Sequence, residues 1–196
     1  MTALHWLIGV VLVFEMPVPI YWFVLHGLVD FWRSRKRVRV AYLFAVAAAW
    51  GGGGWFFYHY QRQLFSDAYA RGTPSLWELV AGLSLIGVDM WTLTSVELAL
   101  GGRRLVGQAE LTRSGELNTS GLYEHVRHPR YLGMIAAVLG GCLMVNSRPL
   151  WIVGGVWLVL ALVSIRLEER ELRARFGEAY AEYARRVPAL LPFRVR

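Results

Sequence analysis

Two short clusters carry the side chains in this chain that could do chemistry. Arg127, His128 and Tyr131 lie within "GLYEHVRHPRYLG", residues 121–133, and Arg166, Glu168 and Glu169 lie within "IRLEER", residues 165–170. Brought together, they would hold a small zwitterion. Carboxylates attract an ammonium or sulfonium, while Arg, His and backbone N–H groups attract a carboxylate. The same residue types also anchor helices at headgroup depth, whether or not anything binds there. Residue types alone leave both readings open, and anchoring is the simpler one. Metal binding is not expected: His125 and His128 are three apart, with no cysteine near and a proline directly after. "GGGG" at 51–54 falls in mid-run and reads as close packing rather than a phosphate cradle.

The elements that must position these clusters are apolar. Of 196 residues 56% are hydrophobic and only 18% charged, and several runs approach or exceed the length that crosses a bilayer. The pattern reads as an all-α integral membrane protein with five transmembrane helices. They cover about 4–30, kinked at Pro17 and Pro19, then about 39–60, 75–99, 131–147 and 149–167. From 168 to 187 the apolar residues Leu172, Phe176, Tyr180, Tyr183 and Val187 recur at helical spacing among charges. That predicts a C-terminal amphipathic helix lying at the interface, stopped by "VPALLPF". The chain divides into three N-terminal membrane helices over 1–99 and a site-bearing part over 100–196, forming one integrated domain. No basic leader or cleavage site precedes the first run, which is expected to be retained.

Counting Lys and Arg by loop orients the chain. "RSRKRVR" at 33–39 has five, residues 100–130 five, and residues from 166 onward eight, against Arg62, Arg71 and Arg148 on the other side. The basic loops belong in the cytoplasm, so the N-terminus is outside and the C-terminus inside. The net charge of +7 therefore reflects topology, not nucleic-acid binding. Pro129 fits the first turn of the fourth helix, and the tight turn "NSRP" makes the fourth and fifth helices antiparallel neighbours. Both charged clusters then reach one depth on the cytoplasmic side. Glu15, Glu78 and Asp89 are acids inside apolar runs, where each costs about 2.5–3.5 kcal/mol at a helix centre. Lining a polar cavity is one role for them, and hydrogen bonding to neighbouring helices is the favoured one.

"LNTSGLYEHVRHPRYLG", "NSRP" and "RLEERELRARFGEAYAEYARRVPALLPF" resemble the isoprenylcysteine carboxyl methyltransferase and phospholipid methyltransferase superfamily. The likeness covers about residue 100 to the end, through RHPxYxG at 127–133, the pair Glu168 and Glu169, and FGxxYxxY from Phe176 to Tyr183. It implies S-adenosylmethionine as cofactor, with S-adenosylhomocysteine as product, bound from the cytoplasm. By position it implies that Gln108 and the strip Gly115, Glu116, Leu117 and Asn118 flank the cofactor. Tyr123, His128, Pro129, Arg130 and Tyr131 would close the pocket, and Glu168 would meet the amino group. Arg166 is the candidate for orienting an anionic acceptor. The carboxyl methyltransferases carry their arginine slightly further ahead of the acids, where this chain has Ser164.

The expectation is a methyltransferase acting on a lipophilic, membrane-resident acceptor, at the cytoplasmic face of a bacterial inner membrane. A partner nucleic acid and a metal are not expected. The competing classes are a non-enzymatic membrane scaffold and an NADPH-dependent membrane reductase of related architecture. Nucleotide protection assays separate the reductase, and a wild-type phenotype in a His128, Glu168 double mutant would favour the scaffold.

Overall fold

The computed structural model describes residues 3–28, 38–100 and 116–191. Among these there are helices and no strands. In chain order they are α1 (Ala3–Glu15), α2 (Pro17–Gly27), α3 (Val38–Leu64), α4 (Ser66–Arg71), α5 (Leu76–Leu100), α6 (Pro129–Val145), α7 (Arg148–Phe176) and α8 (Glu178–Arg186). A single 3₁₀ turn, Gly121–Glu124, precedes α6. Three stretches are long and apolar enough to cross a membrane: Leu4–Gly27, α5 and α7, while α6 is apolar but shorter. Large apolar side chains stay exposed along these helices, among them Phe14, Trp77, Met90, Ile152 and Val159. A lipid-facing surface has that character; a water-facing one does not.

The first span breaks where the prolines require it. Pro17 opens α2 after Met16, and prolines at 17 and 19 remove two helical donors. Side chains from other helices supply hydrogen bonds around the break. Trp50 Nε1 donates to Phe14 O at 3.2 Å, Trp157 Nε1 to Met16 O at 3.2 Å, and Ser164 Oγ to Pro19 O at 2.9 Å. In an apolar surround such groups have no water to turn to, so the kink is stitched to α3 and α7.

α5 and α6 cross most closely, antiparallel, through glycine. A Cβ on Gly140 would stand 2.6 Å from Gly82 O, and one on Gly133 would collide with Thr92 Oγ1. At the far end Asn146, with φ of 46°, closes α6, and its side-chain amide donates to Glu78 Oε1 at 2.9 Å. Ser75 Oγ and Arg71 Nη1 also hold Glu78, at 2.7 and 2.6 Å. Glu78 is thus a helix-linking acid, as the sequence reading favoured.

One boundary differs from expectation. The charged stretch after 167 does not start an interfacial helix, because α7 continues unbroken to Phe176. The break comes at Gly177, whose φ of 56° suits glycine, and α8 follows it. Tyr180, Tyr183 and Val187 do form one buried face, packed on Leu117, Leu172 and Phe176.

Candidate functional site

The site begins with where α6 starts. Its first turn lies beside Asp89, eleven residues short of the end of α5, which then runs on for roughly 16 Å at 1.5 Å per residue. α7 likewise runs past Glu169 to Phe176. The short helix therefore starts between two longer ones, and its opening residues face different neighbours.

Arg127 faces α7 and the tail. Its Nε donates to Glu169 Oε1 at 2.9 Å and Nη2 pairs with the same oxygen. Its Nη1 donates to Ala184 O at 2.9 Å and Val187 O at 2.6 Å. Backbone bonds run alongside, from Arg127 N to Pro188 O at 2.9 Å and from His128 N to Ala189 O at 3.0 Å. One guanidinium fork thus ties the entry of α6 to α7 and to the segment that ends α8.

His128 lies between the paired acids, with its side chain 2% exposed. Nε2 is 3.3 Å from Glu169 Oε1 and Nδ1 is 3.7 Å from Glu168 Oε2. The ring of Tyr131, also buried, meets it edge-on at 5.9 Å. The juxtaposition inferred from loop topology is therefore present. Glu169 is consumed by Arg127 and His128. Glu168 is not: its Oε2 is buried, has no hydrogen bond, and has only the longer approach of His128.

Arg130 turns the other way, between α1 and α5. Nη2 reaches both Glu15 oxygens at 2.7 Å, and Nη1 pairs with Asp89. Three helices thus meet at one guanidinium, which accounts for Glu15 and Asp89, the other two acids singled out in the apolar runs. Arg166 is exposed, two residues and so roughly 200° round α7 from Glu168.

The residues before α6 are fitted against α8. Asn118 Oδ1 accepts from Ser120 N at 3.0 Å and Ser120 Oγ at 2.9 Å, Leu117 packs on the Tyr180–Tyr183 face, and Glu116 is exposed. Tyr123 O accepts from Tyr183 Oη at 2.7 Å. Burial pushes the Tyr183 hydroxyl up to about 12, so it remains a donor. Gln108 and Gly115 lie outside the described residues. Among the described residues no group of three or more His, Cys, Asp and Glu is placed to hold a metal. What converges is a buried carboxylate oxygen, a histidine and aromatic rings, a donor set suited to a small cationic organic group.

The chain spans a quarter to a half of the length of the curated relatives it matches. A methanethiol S-methyltransferase of Bradyrhizobium diazoefficiens is 41% identical over 73 residues, 37% of this chain and 25% of that one. The protein-S-isoprenylcysteine O-methyltransferase of Xenopus laevis is 40% identical over 88 residues, 44% and 30% of the two chains. The cobalt-zinc-cadmium resistance protein CzcN of Cupriavidus metallidurans is 35% identical over 117 residues, 58% and 50%. No solved structure matches. A family model described as phospholipid methyltransferase matches residues 77–179, more than half of the chain. That stretch carries nearly all of α5, the start of α6 and the pair Glu168 and Glu169 of α7, and the chain belongs to this family.

Proposed function

We propose that the protein is a methyltransferase that uses S-adenosylmethionine to methylate a lipophilic acceptor, with five membrane-crossing helices and the site on the cytoplasmic side of a bacterial inner membrane. The observation that carries this reading is the buried Glu168 Oε2, without a hydrogen bond yet held beside His128 in the family-matched stretch. Such an oxygen fits the α-amino group of the cofactor. His128 and Tyr131 would close over it, and Tyr123, Glu116, Leu117 and Asn118, with Gln108 and Gly115, would flank the remainder. Pro129 sets the turn that aims His128. S-adenosylmethionine, when bound, supplies an electrophilic methyl group on a sulfonium.

The protein's own part is positioning and exclusion of water, because in-line displacement at a methyl needs alignment more than acid or base. The start of α6, set between the longer α5 and α7, suits that purpose, with the acceptor arriving from the lipid. Arg127 holds the walls together. Arg130 contributes backbone at the pocket edge while its side chain braces α1 and α5. Arg166, exposed on the outer face of α7, would orient an anionic acceptor group at the interface.

The test is calorimetry of S-adenosylhomocysteine with the purified intact chain. Wild type is expected to bind, and Glu168→Gln and His128→Ala each to weaken binding at least about tenfold, near 1.4 kcal/mol. Absence of binding by folded wild type across several detergents and lipids sinks the reading.

A further inference from the structure

We infer that Glu168 Oε2 and Tyr180 Oη together form a seat for a protonated amine, with Tyr180 a binding residue and not merely a packing one. This rests on the methyl-donor reading above and extends it to α8.

Tyr180 is 1% exposed, and its hydroxyl is buried without a hydrogen bond. A buried hydroxyl left without a hydrogen bond destabilises the fold. A phenylalanine would fill the same space at no such cost. Its neighbour on the same face shows the contrast: the Tyr183 hydroxyl donates to Tyr123 O, and the two rings meet edge-on at 6.0 Å. Packing accounts for both rings, but a hydrogen bond accounts only for the hydroxyl of Tyr183.

The surroundings of Tyr180 indicate what its hydroxyl is for. Arg127 Nη1 holds Ala184 O, one turn further along α8, which draws this part of the helix onto the Arg127–His128–Glu169 cluster. Burial and the charge of Glu169, with Glu168 adding to it, push the hydroxyl well above the ordinary tyrosine range, while Arg127 pulls the other way. The group therefore stays a neutral phenol among carboxylates. Among the described residues, Glu168 Oε2 and Tyr180 Oη border this cluster as buried oxygens without hydrogen bonds, and both can accept. Arg127 and His128 already engage Glu169, so of the two adjacent acids the one with an oxygen left over is Glu168. An ammonium has three donors and a positive charge, and it satisfies both oxygens at once.

The ammonium has two possible sources: the amino-acid end of the methyl donor, or an amine on the acceptor. Tyr180→Phe, which deletes only the unpaired oxygen, separates them. Three probes are titrated into the intact chain in detergent: S-adenosylhomocysteine, 5′-methylthioadenosine, which lacks the amino-acid end, and octylamine. The ligand-free thermal midpoint of Tyr180→Phe is expected to be unchanged or higher. Its affinity for S-adenosylhomocysteine should fall about 5- to 30-fold, with 5′-methylthioadenosine altered by less than about twofold. Glu168→Gln should show the same selectivity. If octylamine weakens and S-adenosylhomocysteine does not, the seat stands and serves an acceptor amine. Unchanged binding of both amines, or equal loss for both nucleosides, overturns the seat. Wild type that binds neither nucleoside removes the methyl-donor reading instead, and octylamine then judges the seat alone.

Discussion

At the scale of single residues, the two arginines of "RHPR" divide the work. Arg127 holds Glu169 and two carbonyls of the C-terminal segment, and Arg130 holds Glu15 and Asp89. Two carboxylates share one guanidinium in the second group, so its members are not equivalent. Glu15→Gln leaves Arg130 paired with Asp89 and should cost little. Arg130→Met leaves two buried acids without a cation and should cost on the order of 3–5 kcal/mol. Thermal unfolding in detergent measures both. Equal losses for the two variants would show that the charge balance of this triad is irrelevant. Residue types in the sequence named both arginines, but nothing in their spacing told which faced the acids of the apolar runs.

Among elements, the close crossing of α5 and α6 decides where the site lies. Glycine permits it at Gly82, Gly133 and Gly140, where added side chains would strike the opposite helix. Gly140→Leu has Gly82 O in its way and should destabilise by about 1–3 kcal/mol or more. It should also weaken S-adenosylhomocysteine binding, since α6 carries His128. Gly155→Leu is the control: it sits on α7 with open space around it and should change neither. Chromatographic monodispersity and ligand affinity of both variants check this. The helices themselves were legible from apolar runs, and their ends from Pro129, Asn146 and Pro149. The end of α7 was not, because the charged residues from 168 mark a change of solvent without marking a change of backbone. Gly177, not the first acid, breaks the helix.

At the scale of the whole molecule, the proposed orientation follows from eighteen basic residues against three. A cysteine introduced as Arg148→Cys, in the α6–α7 turn, should react with a membrane-impermeant maleimide on intact cells. One introduced as Arg173→Cys, on the part of α7 proposed to lie in the cytoplasm, should react only after lysis. The native Cys142 is 1% exposed and should stay silent. The reverse pattern would turn the molecule over and place the proposed site outside.

The sequence by itself determined that this chain is helical, where its apolar helices run, and that "RHPRYLG" and "LEER" meet, because a tight turn and a shared side leave them no other depth. It also carried the family likeness in the order and spacing of those motifs. Only the tertiary structure decided how the charges pair. Helical spacing places a side chain on a face but does not select its partner on another helix. The close glycine crossing starts α6 beside Asp89, and that register sends Arg130 to Glu15 and Asp89. Arg127 and His128 are left to Glu169, and Glu168 and Tyr180 keep oxygens without hydrogen bonds.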